Sequence, residues 1–81
     1  MIEVEVRLYA TLRKYRPRVK LGEGIMLKLA EETTVQRLLE GGLGIPPDEV
    51  KIVFVNAVSR KPDQILADGD RVAIFPPIAG G

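Results

Sequence analysis

The sequence contains no cysteine, no histidine and no tryptophan. Without cysteine there is no disulfide framework and no thiolate nucleophile. Without histidine, the commonest general base and the commonest metal ligand are both missing. These absences exclude a Ser-His-Asp triad, a Cys-His dyad and a zinc site of the usual ligands, so no metal site is expected. Neither sign of charge dominates: 12 basic residues face 11 acidic ones, for a formal net charge of +1. That balance supplies no pull toward nucleic acid or an anionic membrane, and neither is expected as a partner. No apolar run approaches the roughly 20 residues needed to cross a bilayer. The start, Met1-Ile2-Glu3-Val4-Glu5, lacks the basic stretch and apolar run of a signal peptide. A cytoplasmic location is the expectation.

The 81 residues suffice for one domain and are too few for two. Hydrophobic residues are 46% of the chain and charged residues 28%, values of a folded soluble domain rather than a disordered segment. A domain of this size buries only roughly 60–65% of the surface of its unfolded chain, so its core is thin. Any chemistry must come from something other than a standard side-chain apparatus.

Ile2, Val4, Val6 and Leu8 alternate with Glu3, Glu5 and Arg7. Period two places one face inward and predicts a strand. The stretch from Tyr9 to Gly24 holds Pro17 and Gly22 and the bases Arg13, Lys14, Arg16, Arg18 and Lys20. It reads as an irregular connection with a short helical turn near Thr11–Tyr15. Ile25, Leu27 and Leu29 alternate again and predict a second strand, antiparallel to the first. The period then changes: Val35, Leu38, Leu39 and Leu43 form one stripe of a helix. Thr33 and Gln36 fit a capping box at its start, and Gly41, Gly42 and Gly44 mark its end. Ile52-Val53-Phe54-Val55 is an unbroken apolar run that suits a strand covered on both faces. Asn56 to Ala67 reads as a turn and an irregular stretch. Asp68-Gly69-Asp70 is a turn signal, followed by a last strand over Arg71–Phe75.

The order is strand, strand, helix, strand, strand. One helix must cover one face of one mixed sheet, because nothing else is available to bury that face. Setting the first and last strands side by side and parallel at the centre buries the most apolar surface. The expected class is therefore α+β, a β-grasp or ubiquitin-like fold. It has a mixed sheet of about four strands and one main helix on one face. The domain is expected over residues 1–75, with a flexible tail over residues 76–81.

That tail reads Pro76-Pro77-Ile78-Ala79-Gly80-Gly81. Neither proline has an N–H to donate, so the sheet cannot continue through them. Both favour a stiff polyproline-like path away from the body. Fully extended, the six residues reach roughly 20 Å at about 3.3–3.6 Å each. A frayed terminus explains such a segment. So does a slim Gly-Gly end, without Cβ atoms, that carries a free carboxylate into another protein's active site.

The segment Asp68-Gly69-Asp70-Arg71-Val72-Ala73-Ile74-Phe75-Pro76-Pro77-Ile78-Ala79-Gly80-Gly81 resembles the end of the MoaD/ThiS family of ubiquitin-like sulfur carriers. Val6-Arg7-Leu8-Tyr9-Ala10, Leu38-Leu39, Gly44-Ile45-Pro46-Pro47 and Val53-Phe54-Val55-Asn56 extend the resemblance over essentially the whole chain. Phe75, the two prolines and Gly-Gly together are its most specific part. The resemblance implies a carrier, not an independent catalyst, with no cofactor bound. A MoeB/ThiF-type adenylyltransferase would adenylate the Gly81 carboxylate with ATP and magnesium. A sulfur donor protein would then displace AMP to leave a thiocarboxylate. Gly80 would supply the slim backbone beside it. The tail, with Pro76, Pro77, Ile78 and Ala79, would deliver the sulfur to a MoaE-type large subunit of molybdopterin synthase, or to thiazole synthase. Phe75 is expected on the open side of the sheet as a docking contact, with Tyr9, Val53 and Ala73 sharing that face.

Two features depart from the family pattern. Many members place glycine directly after the asparagine that follows the third strand, whereas here Asn56 is followed by Ala57-Val58. That departure bears on the tight turn and on the surface of Ser59-Arg60-Lys61-Pro62. The basic first loop reads either as solvated or as a contact for an acidic partner. The Phe-Pro-Pro tail favours a molybdopterin or tungstopterin carrier over a thiamine-type one. A ubiquitin-like modifier joined to lysines needs the same activation step, and a plain binding module is the third alternative.

Overall fold

The computed structural model describes residues 1–20 and 22–77. Strand β1 (Ile2–Leu8) buries Ile2, Val4 and Val6 and turns Glu3 and Arg7 outward, as its alternation predicts. Strand β2 (Ile25–Leu29) pairs antiparallel to it, Ile2 opposite Leu29 and Val6 opposite Ile25. The connection between them holds a 3-10 helix over Ala10–Tyr15, which inserts Leu12 into the core.

The helical segment differs from expectation in its start and its winding. Helix α1 (Val35–Arg37) begins at Thr34, whose hydroxyl accepts from the Arg37 N–H at 3.2 Å. Thr33 instead donates its hydroxyl to the Ala30 carbonyl at 2.6 Å, and Gln36 donates to the Glu40 carboxylate at 3.3 Å. The expected capping box is therefore replaced by a simple N-cap one residue later. The chain then widens into a π-helical turn over Leu38–Leu43. Leu38 and Leu43 stand one wide turn apart, so both remain on the buried face with Val35 and Leu39. Gly44 closes the segment in the left-handed region at φ 70, where its N–H reaches the Leu39 carbonyl.

Strands β3 (Ile52–Val55), β4 (Val58–Arg60) and β5 (Arg71–Phe75) complete one five-stranded sheet in the order β2-β1-β5-β3-β4. β5 lies parallel to β1 and antiparallel to β3. The central parallel pair and the single covering helix are the β-grasp arrangement expected. The extra strand, β4, is three exposed residues long. Val58-Ser59-Arg60 is too short for alternation to reveal it; the hairpin turn creates it. Asn56 and Ala57 adopt φ 52 and φ 69, the two positive angles of a type I′ turn. The tight turn thus forms without the glycine that the family pattern places there. The Asn56 side chain braces it, accepting from the Arg71 N–H at 3.0 Å and donating to Asp70 at 2.9 Å.

The core between sheet and helix is aliphatic throughout. Val4, Val6, Leu12, Leu38 and Ile74 are fully buried there. No buried polar side chain lies among the described residues.

Candidate functional site

The sheet has a second face that no helix covers. Parallel pairing sets Arg7 beside Ala73, and antiparallel pairing sets Phe54 beside Ala73 and Ile52 beside Phe75. Side chains at paired positions share a face, so Arg7, Ala73, Phe54, Phe75 and Ile52 all point away from the helix. Tyr9 follows β1 and stacks on Phe75, with ring centroids 4.5 Å apart and planes 8° apart. Phe54 meets Phe75 edge-on at 5.7 Å and 90°. Phe75 is thus the hub of an aromatic cluster in both favoured ring geometries.

Phe75, Tyr9 and Ala73 lie on the open face as expected, each half-buried. Val53 does not. It is opposite Ile74, is only 5% exposed and belongs to the core. An unbroken apolar run carries no period from which to assign its faces; the register against β5 does so, and it gives the open face to Phe54. Phe54 is the residue that reasoning from sequence missed. Its signal was the pairing of β3 with β5, which puts every second residue of the run on the side of Ala73.

The backbone fixes the exit of the chain from this cluster. The Ile74 carbonyl accepts from the Tyr9 N–H at 3.2 Å, and the Phe75 carbonyl accepts from the Lys51 N–H at 2.8 Å. Pro76 offers no N–H to continue the ladder, and the sheet stops there. Pro76 and Pro77 line a groove of about 540 Å³ whose floor includes Phe75, Phe54, Ile52 and Ala10. The root of the tail is therefore an apolar notch at the centre of the sheet. Ile78, Ala79, Gly80 and Gly81, the predicted working end, lie outside the described residues.

A polar cluster holds the loop beside this notch. Lys14 pairs with Glu49 at 2.8 Å, and the Tyr15 hydroxyl donates to the other oxygen of the same carboxylate. The hydrogen bond to Glu49 raises the pKa of Lys14 and that of Tyr15, and the bond from Lys14 leads in lowering that of Glu49. Arg16 donates to the Gly42 carbonyl at 3.2 Å, serving the C-terminal end of the helical segment. Two of the five basic residues in the first loop are thus engaged within the molecule. Among the described residues there is no group of His, Cys, Asp or Glu side chains suited to a metal, and no helix long and apolar enough to cross a membrane.

An aromatic surface, a stiff exit and a core without catalytic groups define a small ubiquitin-like protein of the MoaD/ThiS kind. The chain belongs to the Mut7-C ubiquitin family, whose model matches residues 1–79. Its fold matches that of SAMP1 from Haloferax volcanii with a TM-score of 0.72 at 22% identity, covering 98% of this chain and 99% of that one. A putative molybdopterin converting factor subunit 1 from Pyrococcus furiosus matches with a TM-score of 0.73 at 22% identity, over 96% and 100% of the two chains. The complex of subunits 1 and 2 of molybdopterin-converting factor from Helicobacter pylori 26695 matches with a TM-score of 0.60 at 22% identity, over 99% and 100%. A search of the curated proteins finds no match.

Proposed function

We propose that the chain is a sulfur carrier, activated at Gly81 as an acyl-adenylate and then converted to a thiocarboxylate for molybdopterin synthesis. The observation that carries this reading is the exit at Phe75. A central strand ends at an aromatic hub, and two prolines launch the chain away from a surface suited to docking. The absence of cysteine and histidine from the sequence supports it as well, because the chemistry then rests on a backbone carboxylate. A carboxylate is ionised at neutral pH, with an ordinary pKa of about 3.3–3.7, and is a poor electrophile until it is adenylated. In this reading ATP and magnesium belong to a MoeB/ThiF-type activating enzyme. The carrier holds no cofactor of its own and contributes no catalytic side chain. A MoaE-type large subunit is the receiving partner, a choice supported by the likeness to a subunit found in complex with its second subunit.

The likeness to a protein named small archaeal modifier protein 1 supports a second reading, conjugation of Gly81 to lysines of target proteins. Both readings share the activation step and differ in the acceptor.

Intact-protein mass spectrometry tests the proposal. The chain is incubated with ATP, magnesium, a competent activating enzyme and a sulfur donor, beside protein lacking Gly81. The expected result is a mass gain equal to one oxygen replaced by sulfur, absent from the deletion. No gain, with the enzyme competent on another carrier, overturns the carrier reading. Lysine conjugates without pterin sulfuration would select the modifier.

A further inference from the structure

The helical segment is shorter than the sheet is wide, and it leaves one margin of the covered face open. β4 is the last strand at that edge. Arg60 pairs with Val53, whose side chain is in the core, so Arg60 also points to the helix side. Between this margin and the start of the helix lies a groove of about 530 Å³. Its floor is aliphatic, with Val35, Leu39, Val50, Ile52 and Val53. Its rim carries three cations, Lys51, Arg60 and Lys61, against the single carboxylate of Glu40. All four are exposed, and among the described residues none of the three cations is in an ion pair. The chain as a whole is nearly neutral, so this is a local concentration of positive charge around an apolar floor.

We propose that this groove is a docking site for a short acidic segment of a partner protein, one that seats apolar anchor side chains on Val50, Ile52 and Leu39 and meets Lys51, Arg60 and Lys61 with carboxylates. An apolar floor favours aliphatic anchors, since their burial is what a water-filled groove of this kind gains from. The uncompensated rim selects the sign of the flanking charges: basic flanks would meet like charge and acidic ones opposite charge. The site lies on the covered side of the sheet, whereas Phe75 and the tail use the open side. A partner held here leaves the proposed delivery route free. The inference is independent of the carrier reading, because it needs neither Gly81 nor its activation.

The test is NMR titration of the unactivated chain with two synthetic peptides, one alternating valine with glutamate and the other alternating valine with lysine. The expected result is a response to the glutamate peptide alone, with shifts centred on the amides of Gln36, Ile52, Ser59, Arg60 and Lys61. Its affinity should fall on raising the salt. Replacing both Arg60 and Lys61 by glutamate should weaken it about tenfold, while the shifts of core amides such as Val4 stay unchanged. Equal response to both peptides, no response, shifts confined to the Tyr9–Phe54–Phe75 face, or an unchanged affinity in the double variant would each overturn the proposal. None of these outcomes depends on whether a thiocarboxylate forms.

Discussion

The two faces of the sheet are built from different side chains. The covered face is valine, leucine and isoleucine throughout, and all four aromatic residues lie outside that core. Three of them, Tyr9, Phe54 and Phe75, gather on the open face around the exit of β5, and the fourth, Tyr15, hydrogen-bonds Glu49 on the adjoining loop. A small domain needs its largest apolar side chains to fill its core unless another demand outweighs packing. Here β-branched and leucine side chains fill a thin core without voids large enough for a ring. The aromatic rings are left where another molecule can reach them. The contrast teaches that stability and recognition are divided between the faces of one sheet, with β5 contributing to both through Val72 and Ile74 on one side and Ala73 and Phe75 on the other.

Substitution on each face separates the two roles. Leu38→Ala, at a fully buried site, should destabilise the fold by about 2–5 kcal/mol in urea unfolding. Phe75→Ala should cost less, about 1–2 kcal/mol, since the ring is half-buried and loses one stacked and one edge contact. The same change should reduce formation of the thiocarboxylate by at least about tenfold in the mass-spectrometric assay, whereas Leu38→Ala should not, once folded protein is matched. Equal effects of both on transfer would end the division.

The β3–β4 turn offers a smaller change of opposite sign. Ala57 holds φ 69, a left-handed conformation that costs a residue with a Cβ about 1–2 kcal/mol. Ala57→Gly should therefore raise stability by about 0.5–1 kcal/mol after the extra freedom of the unfolded chain is counted. A loss of stability by urea titration would show that the alanine methyl contributes packing instead.

The Lys14–Glu49–Tyr15 cluster gives the smallest effect, because all three groups are near solvent. Glu49 is lowered from 4.5, so its contribution is present above that value and lost as pH falls through the native pKa. Lys14 is raised from 10.5 and Tyr15 from 10.0, so theirs is present below those values and lost as pH rises through the native ones. Thermal unfolding should accordingly weaken below about pH 4 and above about pH 10. Glu49→Gln should flatten both shoulders without altering Phe75-dependent transfer.

Much of this architecture was legible in the residues. Alternation over Ile2–Leu8 and Ile25–Leu29 located two strands and their inward faces, and Asp68-Gly69-Asp70 located the turn before β5. The stripe from Val35 to Leu43 named the right buried residues even though the winding is largely π, because burial depends on which side each leucine occupies and not on the ladder that holds it. What stayed illegible was set by partners distant in sequence. Val53 and Phe54 cannot be told apart within an apolar run; only the register with Ile74 and Ala73 separates them. β4 exists because the Asn56-Ala57 turn folds Val58–Arg60 back on β3, and three residues carry no period of their own. The tail's chemistry was read from its residue types, and its last four positions lie outside the described structure.

The parallel pairing of β1 with β5 has a mechanical consequence. Glu5 through Leu8 run alongside Arg71 through Ile74 in the same direction. A pull between Ile2 and Phe75 therefore acts along both strands and strains the inter-strand bonds together, in shear. A peeling geometry would break them one at a time at lower force. A machine that grips the chain beyond Pro77 meets the most resistant pair in the sheet first. The segment that must be handed to partners is thus anchored where traction is least able to unravel the domain.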